Sequence, residues 1–229
     1  SDCLRYLASS ECITFQLKEK IQFFEECQKA YGQPALMLSG GATLGLFHTG
    51  VCKALLEQDL LPKVLSGSSA GAIMTGMLGT SSADQIPEVL TGKHFFHEAV
   101  RVRKVMELIK GHGGIADVMY LKKFLIHNMG DLTFAEAYQR SGLHINIAVA
   151  PYNASQNPLI LNALTAPNAL VWSAVMASCA VPVLFPPVHL TSKRYDGQHT
   201  PYMSNTKWVD GSMRSDFPQE KMARLYNIN

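Results

Sequence analysis

Gly67-Ser68-Ser69-Ala70-Gly71 fits G-x-S-x-G, the pattern that presents a serine nucleophile on a sharp strand-to-helix turn. Glycines two before and two after the central serine remove the Cβ atoms such a turn would press together. The Gly and Ser content alone would produce roughly 0.09 such matches by chance, so the bare pattern is only a hypothesis. Its setting adds weight. "KVLSGS" (63–68) is an apolar run of strand length, and "AGAIMTGMLGT" (70–80) reads as a helix of small residues that can pack close to a sheet. Ser69 is the candidate nucleophile, and Ser68 reads as a turn residue. A serine hydroxyl needs a base. Eight histidines are present, so a serine-acid-histidine order would draw on Asp117, Asp131 or Asp196 with His144, His189 or His199. His144 lies in a strand pattern, where a core or surface histidine is the plainer reading. His199 lies in the polar run "YDGQHTPYMSN". Asp210 in "WVDGSM" sits where an apolar strand meets a glycine turn. That position aims a side chain at the carboxyl edge of a parallel sheet, where α/β sites lie, although Asp-Gly is also an ordinary turn pair.

A second loop, in "LMLSGGATLGLFHTG" (36–50), runs from strand to helix. A phosphate loop would need Lys and Ser/Thr where Leu46 and Phe47 stand, and a dinucleotide loop would need glycine at Ala42. Amides at a helix N-terminus are equally suited to the oxyanion of an acyl transfer. One helix and one strand separate Gly41 from Ser69, which would return the chain beside this loop.

The elements that must hold these residues follow from periodicity. Ile13, Leu17, Ile21, Phe24 and Cys27 give an amphipathic helix over 11–30, ended by Gly32 and Pro34. "ALMLS" (35–39) suits a buried parallel strand. Strand, helix, strand, helix then reads as βαβ. Residues 87–142 are mostly helical, with a capping box at Thr133 and Glu136. "LHINIAVA" (143–150) and "PLILNAL" (158–164) are strand candidates, "NALVWSAVMASCA" (168–180) is a buried helix, "VPVLFPPVHL" (181–190) is loop or edge, and "TKWVDGS" (206–212) is a short strand into a turn. The fold class is α/β, a mostly parallel sheet sandwiched by helices. The expected organisation is an N-terminal helical segment, 1–33, and one domain, 34–229.

Composition narrows the function classes. A chain of 229 residues that is 47% hydrophobic and 17% charged is globular, and a net charge of +2 argues against a nucleic-acid partner. Five cysteines without a C-x-x-C pair favour free, mostly buried thiols over a disulfide or zinc framework. No apolar run approaches the roughly 20 residues of a membrane span, and "SDCLRYLASS" lacks the pattern of a signal peptide. The expected location is cytoplasmic or peripheral to a membrane, with non-classical export as the alternative.

"GGATLG" (40–45), "GSSAG" (67–71) and "DGS" (210–212), in that order, resemble the patatin-like phospholipase family, whose pattern is G-G-G-x-[RK]-G, G-x-S-x-G and D-G-[GA]. The resemblance spans about residues 34–212 and includes "TFAEAY", "MASCAVPVLFPPV" and "WVDGS". The helix before the first strand resembles the subgroup with bacterial patatin-like lipases and fungal and plant triacylglycerol lipases. The resemblance implies the patatin-like arrangement and a lipid acyl hydrolase, either phospholipase A or acylglycerol lipase, working at a membrane or lipid-droplet surface. It implies a Ser69–Asp210 dyad without histidine, oxyanion amides at Gly40, Gly41 and Ala42, motif glycines at Gly45, Gly67, Gly71 and Gly211, and no metal or cofactor. It also implies a further strand beyond Asn229. Three residues depart from the pattern. Ala42 puts a Cβ where the family has its third glycine, Leu44 replaces Arg or Lys, and Ser212 replaces a smaller residue. The competing readings are a non-catalytic lipid- or partner-binding module on the same fold and a nucleotide-binding α/β protein. Finally, Arg101, Arg103, Lys104 and Lys110 interleave with Val102, Val105, Met106 and Ile109 over 98–110. This is a helix packed on the sheet with a solvated basic face, or one lying on anionic lipid.

Overall fold

The structure, a computed structural model, describes residues 2–9, 12–91, 115–153, 156–182, 185–215 and 217–229. The basic stretch 98–110 lies outside them. The chain divides into two units: Ser1–Pro34 with Gln219–Asn229, and Ala35–Pro218.

The smaller unit begins with α1 (Asp2–Ala8), which the periodicity did not reveal, and α2 (Leu17–Tyr31). The second helix starts later than its apolar spacing suggests because the Gln16 N–H donates to Glu19 Oε2 at 2.8 Å, closing a capping interaction there. Gly32, in the left-handed region at φ +69°, ends it.

In the larger unit the βαβ reading holds. β1 (Ala35–Leu38) leads through a 3₁₀ turn (Ala42–Leu46) into α3 (Phe47–Glu57), then β2 (Val64–Gly67) and α4 (Ala70–Thr80). Beyond α5 (Ile86–Leu90) come α6 (Ile115–Met129) and α7 (Phe134–Ser141), which opens on the expected capping box: the Glu136 N–H donates to Thr133 Oγ1 and the Thr133 N–H to Glu136 Oε2. β3 (His144–Pro151), β4 (Leu159–Leu161) and α8 (Val171–Ser178) follow. The proline-broken stretch, expected as loop or edge, leads into a hairpin, β5 (Leu190–Lys193) and β6 (His199–Tyr202), whose second strand lies in the polar run around His199. β7 (Trp208–Asp210) and the short α9 (Ser212–Ser215) close the unit, and α10 (Gln219–Tyr226) belongs to the smaller one.

Helix α4 is buried nearly all round, as an apolar helix in a core must be. Its glycines set how close it comes. A Cβ on Gly79 would strike the Ile145 side chain of β3, and one on Gly76 would press on Met129 of α6 and Val175 of α8. The helix is thus gripped between the sheet and two other helices.

The sheet is parallel through β1, β2 and β3, and β4 and β7 join β3 antiparallel. The register decides what this achieves. Ile147 pairs with both Gly67 and Leu161, so β2 and β4 flank β3 on opposite edges. Val149 pairs with both Leu159 and Asp210, so β7 lies on the same edge as β2. One strand runs up that edge to Gly67 and the other runs down it to Asp210. Their carboxyl ends meet tip to tip, two residues apart along β3, or roughly 7 Å.

Candidate active site

Gly67 ends β2 and Ser69 begins the turn into α4. Ser69 has φ +52° and ψ −119°, a sparsely populated conformation that costs about 1–3 kcal/mol and persists only where neighbours enforce it. The enforcement is visible. The Ser69 N–H donates to Ser178 Oγ at 2.9 Å, and the Cys179 thiol donates to the Ser69 carbonyl at 3.4 Å. A Cβ on Gly71 would collide with the Leu38 carbonyl, and one on Gly67 with the Gly71 carbonyl. The turn can be this tight only with glycine at both places. Ser68 is fully buried while Ser69 is half-buried, so Ser69 is the serine presented at the turn.

The glycine-rich loop lies against this turn. The His48 Nε2–H donates to the Ser39 carbonyl at 2.9 Å and ties the start of α3 back to the end of β1. A Cβ on Gly45 would collide with that of Ala70, the residue after the candidate nucleophile. Ala42 adopts φ +49°. The loop therefore keeps a glycine conformation although alanine occupies the position, at a cost of about 1–2 kcal/mol. Alanine tolerates this region, whereas a β-branched residue there is a genuine outlier. On the acyl hydrolysis that the resemblance implies, Ala42→Val should therefore distort the loop and lower turnover at least tenfold, with the thermal midpoint little changed. Turnover equal to wild type would show that the loop's conformation is irrelevant to the chemistry.

Asp210, only 1% exposed, stands at the tip of β7. Its N–H donates to the Ala180 carbonyl at 3.0 Å, and its Oδ1 accepts the Ser212 N–H at 2.8 Å. A Cβ on Gly211 would overlap the Ala148 carbonyl of β3, so the turn after Asp210 needs glycine. The three sequence motifs converge at Gly40. A Cβ placed there would lie 3.4 Å from Ser69 Cβ and 3.1 Å from Ser212 Cβ. The loop backbone thus threads between the candidate nucleophile and the Asp-Gly-Ser turn.

A family model described as patatin-like phospholipase matches residues 36–222. The chain belongs to that family. It is 35% identical to triacylglycerol lipase SDP1L of Arabidopsis thaliana over 99% of this chain and 30% of that protein. It is 40% identical to triacylglycerol lipase 4 of Saccharomyces cerevisiae over 90% of this chain and 24% of that protein. The chain thus spans about a quarter to a third of the length of these curated relatives. The crystal structure of VipD from Legionella pneumophila superposes with a TM-score of 0.49 at 14% identity, covering 82% of this chain and 47% of that one.

In this patatin-like unit the alternative acid–histidine pairs fall elsewhere. His199, on β6, donates to Asp131 Oδ2 at 2.8 Å, and Trp172 Nε1 donates to Asp131 Oδ1 at 3.3 Å. Burial pushes the Asp131 carboxyl up, but these hydrogen bonds and the charges of His199 and Lys193 outweigh it and hold it below its ordinary value of 3.8. The cluster joins the hairpin to the start of α8, and Lys193 Nζ against Glu136 Oε2 at 2.6 Å joins the hairpin to α7. Ser69 is held at the other end of α8, at Ser178, about 9 Å of helix away. His144 stacks on Tyr138, with ring centroids 4.4 Å apart, and burial lowers its pKa. His189 is exposed. Asp196 accepts the Gln198 N–H in the hairpin turn, and the Asp117 side chain lies outside the described set. Alanine at His144, His189 or His199 should each cost less than tenfold in turnover, below the about 10²–10⁴-fold of a general base. A histidine variant as inactive as a change at Asp210 would install a triad instead.

Sequence reasoning missed His48, Ser178, Cys179 and Ala180. Residues 168–180 read as a buried helix, and "MASCAVPVLFPPV" as a stretch of the resemblance, with no role given to its residues. The available signal was the serine ending that apolar run, since a buried hydroxyl must find a partner.

Proposed function

We propose that this patatin-like unit hydrolyses a carboxylic ester of a lipid, an acylglycerol or a phospholipid, by serine catalysis. Ser69 Oγ attacks the acyl carbonyl while the Asp210 carboxylate takes its proton. The amides of Gly40, Gly41 and Ala42 donate to the tetrahedral oxyanion, and collapse of that intermediate releases the alcohol with a proton from Asp210. Water, deprotonated by Asp210, then attacks the acyl-serine, and the acid departs as Ser69 recovers its proton. The observation that carries this reading is the tip-to-tip meeting of β2 and β7, which delivers a strained serine and a buried carboxylate to one place on β3. Names of relatives as triacylglycerol lipases support the substrate class. A fluorophosphonate probe should label Ser69 in the wild type, and a screen across glycerolipid classes should show hydrolysis absent from Ser69→Ala. An unlabelled, inert wild type would leave a binding module.

The substrate is insoluble, so the unit must work at a lipid surface. Among the described residues no helix is long and apolar enough to cross a membrane, which is compatible with peripheral attachment. The basic stretch 98–110 is the proposed contact with anionic lipid. Each basic residue near such a surface contributes about 1 kcal/mol. Changing Arg101, Arg103 and Lys104 together to Gln should weaken binding to anionic vesicles roughly a hundredfold at low salt, with less effect on a short water-soluble ester. Unchanged vesicle binding would overturn that contact.

A further inference from the structure

We infer that Ser178 is a positioning residue for the ester hydrolysis proposed above, and that Ser178-Cys179-Ala180 sets Ser69 and Asp210 relative to one another. Three consecutive residues at the end of α8 each bond one of the two. Ser178 Oγ accepts the Ser69 N–H at 2.9 Å, Cys179 Sγ donates to the Ser69 carbonyl at 3.4 Å, and the Ala180 carbonyl accepts the Asp210 N–H at 3.0 Å. One tripeptide therefore grips the serine peptide on both sides and the aspartate on its backbone.

The Ser178 hydroxyl is more than an acceptor. It is fully buried and donates its own proton to the Ala148 carbonyl at 2.7 Å. That donation orients a lone pair toward the Ser69 N–H. Ala148 lies between Ile147, the partner of Gly67, and Val149, the partner of Asp210. The hydroxyl is thus anchored at the seam between the two strand tips. Without it the Ser69 N–H loses its acceptor in a water-poor site, and the backbone at φ +52° gains a reason to relax. Relaxation swings the Ser69 side chain while Asp210 stays fixed to Ala180. Cys179 supports the same arrangement. Burial first, and then the charge of Asp210, push its pKa up, so it remains a thiol that can donate. The Ser69 amide is occupied by Ser178 and so is not offered to an oxyanion.

Ser173 supplies the control. It is also fully buried on α8, and its Oγ accepts the Thr191 N–H at 2.7 Å, a bond of the same kind toward the hairpin. The test compares Ser178→Ala and Ser173→Ala on a short water-soluble ester, with active sites titrated by fluorophosphonate. Ser178→Ala should lower kcat per titrated site and the labelling rate together, by about ten- to a hundredfold for a nucleophile displaced on the ångström scale, with KM within about twofold. Ser173→Ala should keep wild-type kcat per site even where its thermal midpoint falls as far. Wild-type kcat per site in Ser178→Ala overturns the proposal, as does an equal loss in both variants, which makes the effect general to the helix. A wild type that neither labels nor hydrolyses overturns the proposed function and this inference with it, an outcome distinct from an active wild type matched by an active Ser178→Ala.

Discussion

Ser69→Ala should abolish ester hydrolysis while leaving the fold intact. The hydroxyl is the reacting group, and removing a nucleophile that acts in concert with its base typically costs about 10⁴-fold or more. The backbone conformation is enforced by neighbours that the substitution does not touch: the glycines at 67 and 71, the Ser178 hydroxyl and the Cys179 thiol. Alanine tolerates the same φ about as well as serine does. The melting curve should therefore lie close to wild type, while glycerolipid hydrolysis and fluorophosphonate labelling both vanish. The informative companion is Ser68→Ala. If that variant is dead and Ser69→Ala retains turnover, the turn presents the wrong serine and the reading of the elbow fails.

Asp210→Asn should come next in size, at about 10²–10⁴-fold in turnover, the usual worth of a general base. The substitution is nearly isosteric. An asparagine Oδ1 can still accept the Ser212 N–H, and the backbone bond to Ala180 is indifferent to the side chain. The Asp-Gly-Ser turn should survive, so lost activity reports lost proton transfer and not a lost fold. Retained turnover in this variant, measured on a short water-soluble ester alongside the histidine variants, would remove the aspartate from the mechanism.

Much of this site is local in sequence and was readable there. The glycines around Ser69, the loop from Gly40 to Gly45 and the capping box at Thr133 depend on residues within a few positions of one another, and spacing expresses such constraints directly. What spacing does not express is which edge of a strand another strand joins. "TKWVDGS" announced a strand and a turn. Nothing in it said that β7 would run antiparallel to β3 on the edge already used by β2, and that choice places Asp210. The hairpin was hidden for a related reason. Pro201 interrupts the strand pattern, yet it sits in the two-stranded sheet opposite Thr191, where an edge strand tolerates proline. Ser178 was invisible because its partners, Ser69 and Ala148, are far away along the chain. The question raised by Ala42 needed coordinates too, since composition alone does not report the sign of φ.

The meeting of β2 and β7 also sets a schedule. During synthesis the strained turn at Ser69 and its partner β3 leave the ribosome long before Asp210 does, and domains settle as units only once their long-range pairings close. Every intermediate length of chain therefore carries a serine without its base. On the proposed chemistry, hydrolytic capacity arrives only when β7 docks, so a chain that stops short of Asp210 is chemically inert.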